Sequence, residues 1–382
     1  MLLKYLISLA ILAGAGILEA GDDRPALPPP NAQSVVAPLP KAAPPPILSL
    51  PLYQVLDRFE VGAQVYVRSL LVEEDRQALW VGTSVGVHEI DLGSKTIRQT
   101  FTREQGLANE YIFAIGRDSE GGKWFGTNAG GASRYHEGRW KTYFPMHGLA
   151  DYWVYSFASH PDGTLWIGTW AGVNRLNLKT GALELFLKEL VNEWVYAIQV
   201  DDQGRTWFGT EGGISRFDGQ TWHSWTHADG LGAPNAEKLP VSHNTGLGTR
   251  NRHDLGVMNG GETTYNPGYV FALQVEKDGT VWAGTWGGGV SRFDGKQWRN
   301  YSVTEGLPGT VVYSLARDGQ GTLWAGTDRG VAWFDGNRWH PLMDGHLQQS
   351  HVYTLATAPG GDLWAGSRGN VFRIGLLTNQ PK

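Results

Sequence analysis

The chain of 382 residues contains no cysteine, and its charges are nearly balanced. The absence of cysteine excludes disulfide bonds, iron–sulfur clusters, cysteine nucleophiles and any lipid anchor that needs a thiol. Lys and Arg number 32 and Asp and Glu number 37, which gives a formal net charge of −5. A mildly acidic chain without an excess of basic residues argues against nucleic acid or an anionic membrane surface as its main partner.

Motifs typical of metal and nucleotide sites are also missing. The sequence has no HExxH zinc motif, no P-loop and no calcium-binding loop. His243, His253 and Asp254 form a partial set of metal ligands, but their spacing is not diagnostic, and solvated loop residues are the alternative. We therefore predict no metal, no cofactor and no assigned catalytic residue, and we favour a binding protein over an enzyme.

Long apolar runs are scarce, and the only prominent one lies at the N-terminus. Lys4 precedes Tyr5–Leu18, an apolar stretch of 14 residues. This length suits the hydrophobic region of a signal peptide and is short for a membrane span. We expect residues 1–20 to direct export, with cleavage after Ala15 or Ala20, and an uncleaved short anchor is the alternative. The protein would then be periplasmic or secreted.

Residues 21–51 form a proline-rich segment after the export signal. Ten of the 19 prolines of the chain lie here. Such a composition favours extended polyproline II conformations over a packed core. We interpret this segment as a linker.

Glycine and tryptophan are abundant, and both recur at regular intervals. The stretch LWIGTWAGVNRL (Leu165–Leu176) is one of seven variants of the same motif, whose first tryptophans are separated by 44, 42, 41, 75, 42 and 40 residues. A repeat of about 40–45 residues is typical of one four-stranded blade of a β-propeller. The recurring tryptophans are Trp80, Trp124, Trp166, Trp207, Trp282, Trp324 and Trp364.

Each repeat reads as four short strands joined by turns. In the third repeat, WVYSF (Trp153–Phe157) predicts the first strand and LWIGT (Leu165–Thr169) predicts the second. The third strand follows the next glycine. In most repeats an Asp-Gly turn, a strong hairpin signal, leads to the fourth. The chain is therefore predicted to be all-β.

The two ends of the repeat array complement each other. The seventh repeat stops near Val371–Gly375 and has no fourth strand, whereas YQVLDRFEVG from Tyr53 resembles a fourth strand without the other three. We expect the N-terminal strand to complete the last blade and close the ring, which leaves no open sheet edge between the ends. The prediction is a seven-bladed propeller over residues 52–375, followed by a tail at 376–382.

The repeat pattern, GL followed by VYxI and DxxGxLWIGTxxGVxRFD, resembles the two-component regulator propeller repeat of bacteria. In that family the propeller is commonly the extracytoplasmic sensor of a membrane histidine kinase. This sequence shows no kinase core or immunoglobulin-like connector, so the resemblance implies a stand-alone sensory or accessory module. A fainter similarity to streptogramin-lyase-type propellers implies a lyase- or hydrolase-type enzyme as the alternative. A scaffold within an envelope complex is a third interpretation.

Comparison among the repeats separates framework positions from variable ones. Trp166, Gly168, Thr169 and Gly172 have counterparts in nearly every repeat, as expected of residues that serve the fold. The position after the Gly-Thr pair varies from repeat to repeat. It is occupied by Ser84, Asn128, Trp170, Glu211, Trp286, Asp328 and Arg368.

The variable position is predicted to share one face of the propeller with the first residues of the inner strands. Trp170 and Trp286 lie in loops beside glycine, so we expect them to contact a ligand rather than to support the fold. For the aromatic residues at the starts of the inner strands, packing between blades is the alternative to ligand contact. We predict a cup centred over blades 3 to 5. Its residues are Tyr111, Asn128, Trp153, Trp170, Trp194, Glu211, Tyr269, Trp286, Asp328, His351 and Arg368.

Aromatic surfaces with a few polar groups suit a small, partly apolar ligand or a glycan. An envelope protein such as a membrane sensor is the alternative partner, and a monomer is expected. The long spacing before the fifth repeat places an insertion at residues 226–268, on the same face. Loops of this length are usually functional or disordered, so we interpret the insertion as a lid, with a flexible loop as the alternative.

Overall fold

A computed structural model describes residues 52–242 and 262–377 of the chain. Within these residues, 28 strands form seven antiparallel four-stranded sheets, which confirms the predicted seven-bladed propeller. Four short 3₁₀ turns, and no α-helix, occur in the same ranges. Accordingly, no helix in the described part of the chain is long and apolar enough to cross a membrane.

The strands follow the order of the chain in six of the seven blades. Blade 1 contains β2 (Val67–Glu73), β3 (Ala78–Thr83), β4 (Gly86–Asp91) and β5 (Ile97–Phe101). Blade 2 contains β6 (Ile112–Arg117), β7 (Lys123–Thr127), β8 (Ala132–His136) and β9 (Arg139–Tyr143). Blade 3 contains β10 (Val154–Ser159), β11 (Thr164–Thr169), β12 (Gly172–Asn177) and β13 (Leu183–Phe186). Blade 4 contains β14 (Val195–Val200), β15 (Thr206–Thr210), β16 (Ile214–Phe217) and β17 (Trp222–Trp225).

Blade 5 contains β18 (Asn266–Val275), β19 (Val281–Trp286), β20 (Val290–Phe293) and β21 (Trp298–Tyr301). Blade 6 contains β22 (Val312–Arg317), β23 (Leu323–Thr327), β24 (Gly330–Phe334) and β25 (Trp339–Pro341). Blade 7 combines β26 (Thr354–Thr357), β27 (Leu363–Gly366) and β28 (Asn370–Leu376) with β1 (Tyr53–Glu60). The 3₁₀ turns are Arg103–Gln105, Pro145–His147, His227–Asp229 and Val303–Glu305.

The ring is closed by β1, as the complementary ends of the sequence predict. β1 pairs antiparallel with β28, from Tyr53 opposite Leu376 to Glu60 opposite Asn370. The Tyr53 hydroxyl reaches into blade 6, where it lies 3.1 Å from an Asp318 carboxylate oxygen and 2.8 Å from the Thr322 hydroxyl. Burial raises the pKa of Tyr53 to about 12, so the phenol stays protonated and can keep these bonds at neutral pH.

The motif tryptophans are buried. In three blades the indole donates a hydrogen bond to the carboxylate of a turn residue six positions earlier. Asp118 accepts hydrogen bonds from the Trp124 indole at 2.8 Å and from the Gly122 amide at 2.7 Å. Asp201 with Trp207 and Asp318 with Trp324 repeat this arrangement. Burial alone would raise the pKa of Asp118, but hydrogen bonds from Arg134, Trp124 and Gly122 lower it below its usual value.

Asp118 is a turn residue of the fold, because its carboxylate accepts hydrogen bonds from the Glu120 and Gly122 amides. Asp162 also serves a turn, because its carboxylate accepts a hydrogen bond from the Thr164 amide at 2.9 Å. Asp118 and Asp162 do not stand at the same offset in the repeat. His160, not Asp162, lies six residues before Trp166.

The Gly-Thr pair is explained by the turn that follows it. The Thr169 hydroxyl donates to the carbonyl of Gly172 at 2.9 Å and accepts from the Ala171 amide at 3.0 Å. Gly172 has a φ of 102°, and a Cβ added there would lie 2.6 Å from the Phe186 carbonyl oxygen. A glycine is therefore needed at this point, where the backbone of the next strand passes close by.

Candidate functional site

The variable positions lie beside the first residues of the inner strands. In five blades the backbone amide of the variable residue donates a hydrogen bond to the carbonyl of the residue just before the inner strand. The pairs are Ser84 with Tyr66 (3.0 Å), Asn128 with Tyr111 (2.9 Å), Trp170 with Trp153 (3.3 Å), Glu211 with Trp194 (3.1 Å) and Asp328 with Val311 (3.0 Å). Both sets of positions therefore meet at one end of the inner strands.

The inner strands themselves form a continuous ring. Each of β2, β6, β10, β14, β18, β22 and β26 contacts the next, and β26 contacts β2. A single apolar cluster lines this ring, and we call it the inner-ring cluster. It contains the buried residues Phe113, Tyr155, Trp170, Trp194, Tyr196, Tyr269, Trp286, Val311, Tyr313 and Tyr353, with Tyr66, Tyr111, Trp153 and Phe271 packed against them.

One position per blade makes a closed circle within this cluster. Ring centroids of successive members are 4.6 Å apart (Phe113 and Tyr155), 4.8 Å (Tyr155 and Tyr196), 5.1 Å (Tyr196 and Phe271), 6.0 Å (Phe271 and Tyr313) and 5.3 Å (Tyr313 and Tyr353). Blade 1 contributes Arg68, whose guanidinium carbon lies 5.4 Å from the Tyr353 ring and 5.8 Å from the Phe113 ring. We call these seven residues the axial circle. Sequence reasoning missed the axial circle, although its members stand at one fixed position of the repeat.

Trp170 is part of the inner-ring cluster rather than an exposed loop residue. Only 1% of its surface is exposed. Its ring stacks on Trp194 at 4.7 Å and 28°, and its indole donates to the Tyr196 hydroxyl at 2.8 Å. The expectation that it contributes little to the fold is therefore wrong.

Trp286 is buried in the same way, with 0% exposure. Its ring stacks on Tyr269 at 5.6 Å and 16°, and its indole donates to the Thr264 hydroxyl at 3.0 Å. Trp194 and Tyr269 are also buried, so these strand-start aromatics pack between blades, as their alternative interpretation holds. Whether any of these residues also contacts a ligand stays a prediction.

The acidic residues of the predicted cup are buried and have different partners. The Glu211 carboxylate accepts from the Tyr196 hydroxyl at 3.1 Å, which extends the hydrogen bond from Trp170. Burial, and next the charge of Glu211, raise the pKa of Tyr196 well above its usual value. The Tyr196 phenol is therefore protonated and acts as the donor to Glu211.

Asp328 has an unusual environment for a carboxylate. Its side chain is buried and accepts from the Val311 amide at 3.2 Å, while the Arg329 guanidinium lies 3.7 Å away. Burial raises the pKa of Asp328 to about 6, although Arg329 and the Val311 amide act in the opposite direction. Burial likewise lowers the pKa of His351, which shares a 3.1 Å hydrogen bond with the Tyr313 hydroxyl.

The remaining predicted residues are closer to solvent. Asn128 and Trp153 are half-buried, and the Trp153 indole donates to the Asn128 amide oxygen at 2.6 Å. Tyr111 is half-buried and packs on Phe113 at 5.2 Å. Arg368 is exposed, with its guanidinium carbon 5.3 Å from the Tyr66 ring. The structure thus brings the predicted residues to one end of the inner ring, but as a packed cluster with a polar surface.

The described ends of the insertion are attached to this same end of the propeller. Thr264, which bonds to Trp286, belongs to the returning segment, and the Tyr265 hydroxyl donates to the Ala233 carbonyl at 2.9 Å. Glu237 pairs with Arg329 at 2.7 Å and accepts from the Thr310 hydroxyl at 2.7 Å. Residues 243–261 lie outside the described residues, so the lid stays a prediction.

The partial metal set His243, His253 and Asp254 also lies outside the described residues. Among the residues that the structure describes, no group of three or more His, Asp or Glu side chains is placed to hold a metal ion. Blade 1 contains the sequence GTSVG at Gly82–Gly86, which fits the GxSxG pattern of serine hydrolases. That pattern requires a strand-to-helix turn. Ser84 instead stands in a β-turn, and its hydroxyl accepts from the Tyr66 amide at 3.1 Å.

Comparisons with known proteins agree with this architecture. No curated protein sequence matches the chain. The family model of the two component regulator propeller matches three segments, residues 148–171, 189–212 and 306–329. Each segment covers the first two strands of a blade and ends at or just after the variable position, in blades 3, 4 and 6.

Two solved structures illustrate the similarity of fold. One is the extracellular domain of a B. thetaiotaomicron protein described as a hybrid two component system, BT3049, with 19% identity and a TM-score of 0.64. The match covers 84% of this chain and 41% of that one, so the chain spans about two fifths of that domain. The other is a catalytically inactive virginiamycin B lyase from Staphylococcus aureus with quinupristin, with 12% identity and a TM-score of 0.62, covering 85% and 100% of the two chains.

At these identities the two structures show a common fold and nothing more. The similarity to the repeat family comes from the sequence, because the matched segments carry the Trp and Gly-Thr framework positions of blades 3, 4 and 6. The chain is a seven-bladed β-propeller, and segments of three of its blades match the two-component regulator propeller repeat.

Proposed function

We propose that this chain is an exported sensory or accessory propeller that binds a small ligand at the end of the inner ring. The observation that carries the proposal is the arrangement at that end. Asn128, Trp153 and His351 are half-buried and Arg368 is exposed, and all rest on a floor of packed aromatic rings. Apolar surface with a few fixed polar groups is the usual make-up of a ligand site.

Rigidity of the floor supports this role. Most of the aromatic side chains of the floor are buried and hold one another through ring contacts and hydrogen bonds, so little ordering would remain for the moment of binding. The family of the matched repeats is named for two-component regulators, and the extracellular domain of BT3049 has the same fold. A small molecule or a glycan fits this surface, and an envelope protein is the alternative partner.

Thermal-shift screening of the purified protein against a library of sugars, acids and small aromatics tests the proposal. A ligand that binds only the native state raises the melting temperature by mass action. For any compound found, Asn128→Ala should weaken binding by about tenfold, because the loss of one polar contact is worth roughly 1 kcal/mol or more. Gln220→Ala, an exposed amide in the outer hairpin of blade 4, is the matched control and should change nothing.

An enzyme of lyase or hydrolase type at the same end is the second candidate. The observation in its favour is His351, whose lowered pKa keeps the imidazole neutral near pH 7 and able to accept a proton. Mass spectrometry of each bound compound after long incubation would reveal turnover. Turnover that disappears in His351→Gln, with binding retained, would favour the enzyme. Compounds that are bound but recovered unchanged would favour the sensor.

A further inference from the structure

A second cavity of the molecule lies on the outer strands of blade 2, apart from the inner-ring cluster. Its volume is about 320 Å³, at the lower end of the range for ligand sites. All of its lining residues belong to the hairpin of β8 and β9, and no acidic residue is among them. They are Arg134, His136, Arg139, Trp140 and Lys141.

The register of this hairpin brings positive charges together on one face. Arg134 lies opposite Lys141, and Arg139 stands two residues before Lys141 on the same strand. Residues two apart on a strand point to the same face, and side chains directly opposite have Cβ atoms about 4.5–5.5 Å apart. Like charges in such a pair destabilise it. The fold does not require them, because the equivalent pair in blade 3 joins Arg175 to Glu184.

Two of the basic residues are already engaged by the protein. The Arg134 guanidinium donates to Asp118 at 2.6 Å and to Glu120 at 2.7 Å. His136 shares a 3.1 Å hydrogen bond with the carbonyl of Glu120. A ligand in the cavity would therefore meet these two residues in fixed positions, and its main partners must be the other two cations.

Lys141 and Arg139 are those two cations, and both are exposed. The Lys141 ammonium lies 4.7 Å from the centre of the Tyr143 ring, and it pairs with no carboxylate in the part of the chain that the structure describes. Arg139 pairs with Glu137 at 3.1 Å, and both of these side chains are largely exposed. An ion pair between exposed side chains contributes little, so an incoming anion can replace Glu137.

We propose that Arg139 and Lys141 bind a dianionic oxyanion in this cavity, either the phosphate group of a small phosphate monoester or inorganic sulfate. A guanidinium matches the edge of such a group with two parallel hydrogen bonds, and an ammonium acts as a point charge beside it. Two cations on one face suit two negative charges better than the single charge of a carboxylate. The site goes beyond the proposed function, since no lining residue belongs to the inner-ring cluster.

Isothermal titration of the purified protein at pH 7.5, with the ionic strength held constant by sodium chloride, tests the inference. The probes are D-glucose 6-phosphate, inorganic sulfate and the monoanion D-gluconate, and D-glucose is the neutral counterpart. At least one dianion should bind with a dissociation constant of about 1 mM, as expected for a few exposed contacts. D-gluconate should bind more weakly and D-glucose not at all. Because this affinity is low, the tightest compound of the library screen is still expected at the inner ring.

The two dianions distinguish the possible ligands. Binding of D-glucose 6-phosphate alone identifies a phosphate monoester site, and binding of sulfate alone identifies a sulfate site. Binding of both identifies a site for either dianion.

Three variants assign the binding to the hairpin. Lys141→Gln and Arg139→Gln should each weaken binding of the dianion by about tenfold, the effect of losing one charge-assisted contact. Arg299→Gln is the matched control, because Arg299 lies opposite Arg292 in blade 5 and its guanidinium carbon lies 5.0 Å from the Tyr301 ring. It should leave the affinity unchanged. All three replaced side chains are exposed, so none of these variants should lower the melting temperature.

Several results would overturn the inference. They are the absence of binding by both dianions, binding of D-gluconate or D-glucose as tight as that of the dianions, wild-type affinity in both Lys141→Gln and Arg139→Gln, or an equal loss in Arg299→Gln.

Discussion

Single residues of the repeat can stabilise the fold or contact a ligand, and burial indicates which of the two roles dominates. Trp166 is a framework residue, buried against Phe186 and Phe208 within and between blades. Trp170, four residues later, is equally buried although it has no constant counterpart in the other blades. A residue at a position that varies between repeats can therefore still stabilise the fold, because it can pack against a matching residue of the neighbouring blade.

Replacement of Trp170 tests this point. Trp170→Ala should lower the free energy of unfolding by ~3–5 kcal/mol, since it removes a buried aromatic ring and leaves a cavity. Trp166→Ala should cost a similar amount. Denaturant unfolding of both variants checks the prediction. A Trp170→Ala protein as stable as the wild type would show that the stacking on Trp194 contributes nothing.

Asp328 gives a pH-dependent prediction. Its pKa is raised in the folded protein to about 6, so the folded state binds the proton more tightly than the unfolded state does. Ionisation of Asp328 therefore lowers stability as the pH rises from about 4 to about 7. The stability gained by Asp328→Asn relative to the wild type should be larger at pH 7.5 than at pH 4.5, by on the order of 2–3 kcal/mol. A difference independent of pH would contradict the account.

Among the elements, the strands and the turns between them follow from the sequence more closely than the side-chain packing does. The repeat spacing predicts the blades, and the orphan strand at Tyr53 predicts the closure with β28. The backbone pairing of Trp170 with Trp153 also follows from the strand order. The rotation of the Trp170 ring onto Trp194 could not be predicted, because it depends on the distance and shape of the next blade.

The axial circle was missed for a related reason. Its six aromatic members look like ordinary residues of the inner-strand motif, such as Tyr155 in WVYSF. Only the closure of the ring brings Arg68 beside both Phe113 and Tyr353, which are far apart in the sequence. An alignment of the seven repeats at this position would have exposed Arg68 as the exception.

Removal of β1 tests the closure of the ring. Deletion of residues 1–62 removes the strand partner of β28 together with the Tyr53 contacts in blade 6, whereas deletion of residues 1–48 leaves both. The longer deletion should lower the melting temperature by more than about 5 °C, the scale expected for the loss of several kcal/mol. Equal melting temperatures for the two proteins would refute a stabilising role of β1.

At the scale of the whole molecule, the propeller is a rigid frame with one distinctive end. Framework carboxylates and tryptophans repeat around the ring, while the residues that differ between blades gather where the inner strands begin. A frame of this kind can carry different ligands without a change of fold. The described ends of the insertion are attached at this same end, through Thr264 and Glu237.

Export is the second prediction at this scale. Lys4 and the apolar stretch Tyr5–Leu18 predict a cleaved signal. N-terminal sequencing of the protein from its native host should begin at Gly16 or Gly21. An intact Met1 in the membrane fraction would favour the uncleaved anchor, and an intact Met1 in the cytosol would refute export.

The location of a bound ligand tests the central claim most directly. A crystal structure of the protein with the tightest compound from the library screen should show that compound at the end of the inner ring, in contact with Asn128, His351 or Arg368. Its contacts would be made with the variable residues and the half-buried aromatics above the floor. A compound seated instead at the opposite end of the ring, or on the outer strands of a blade, would contradict the account.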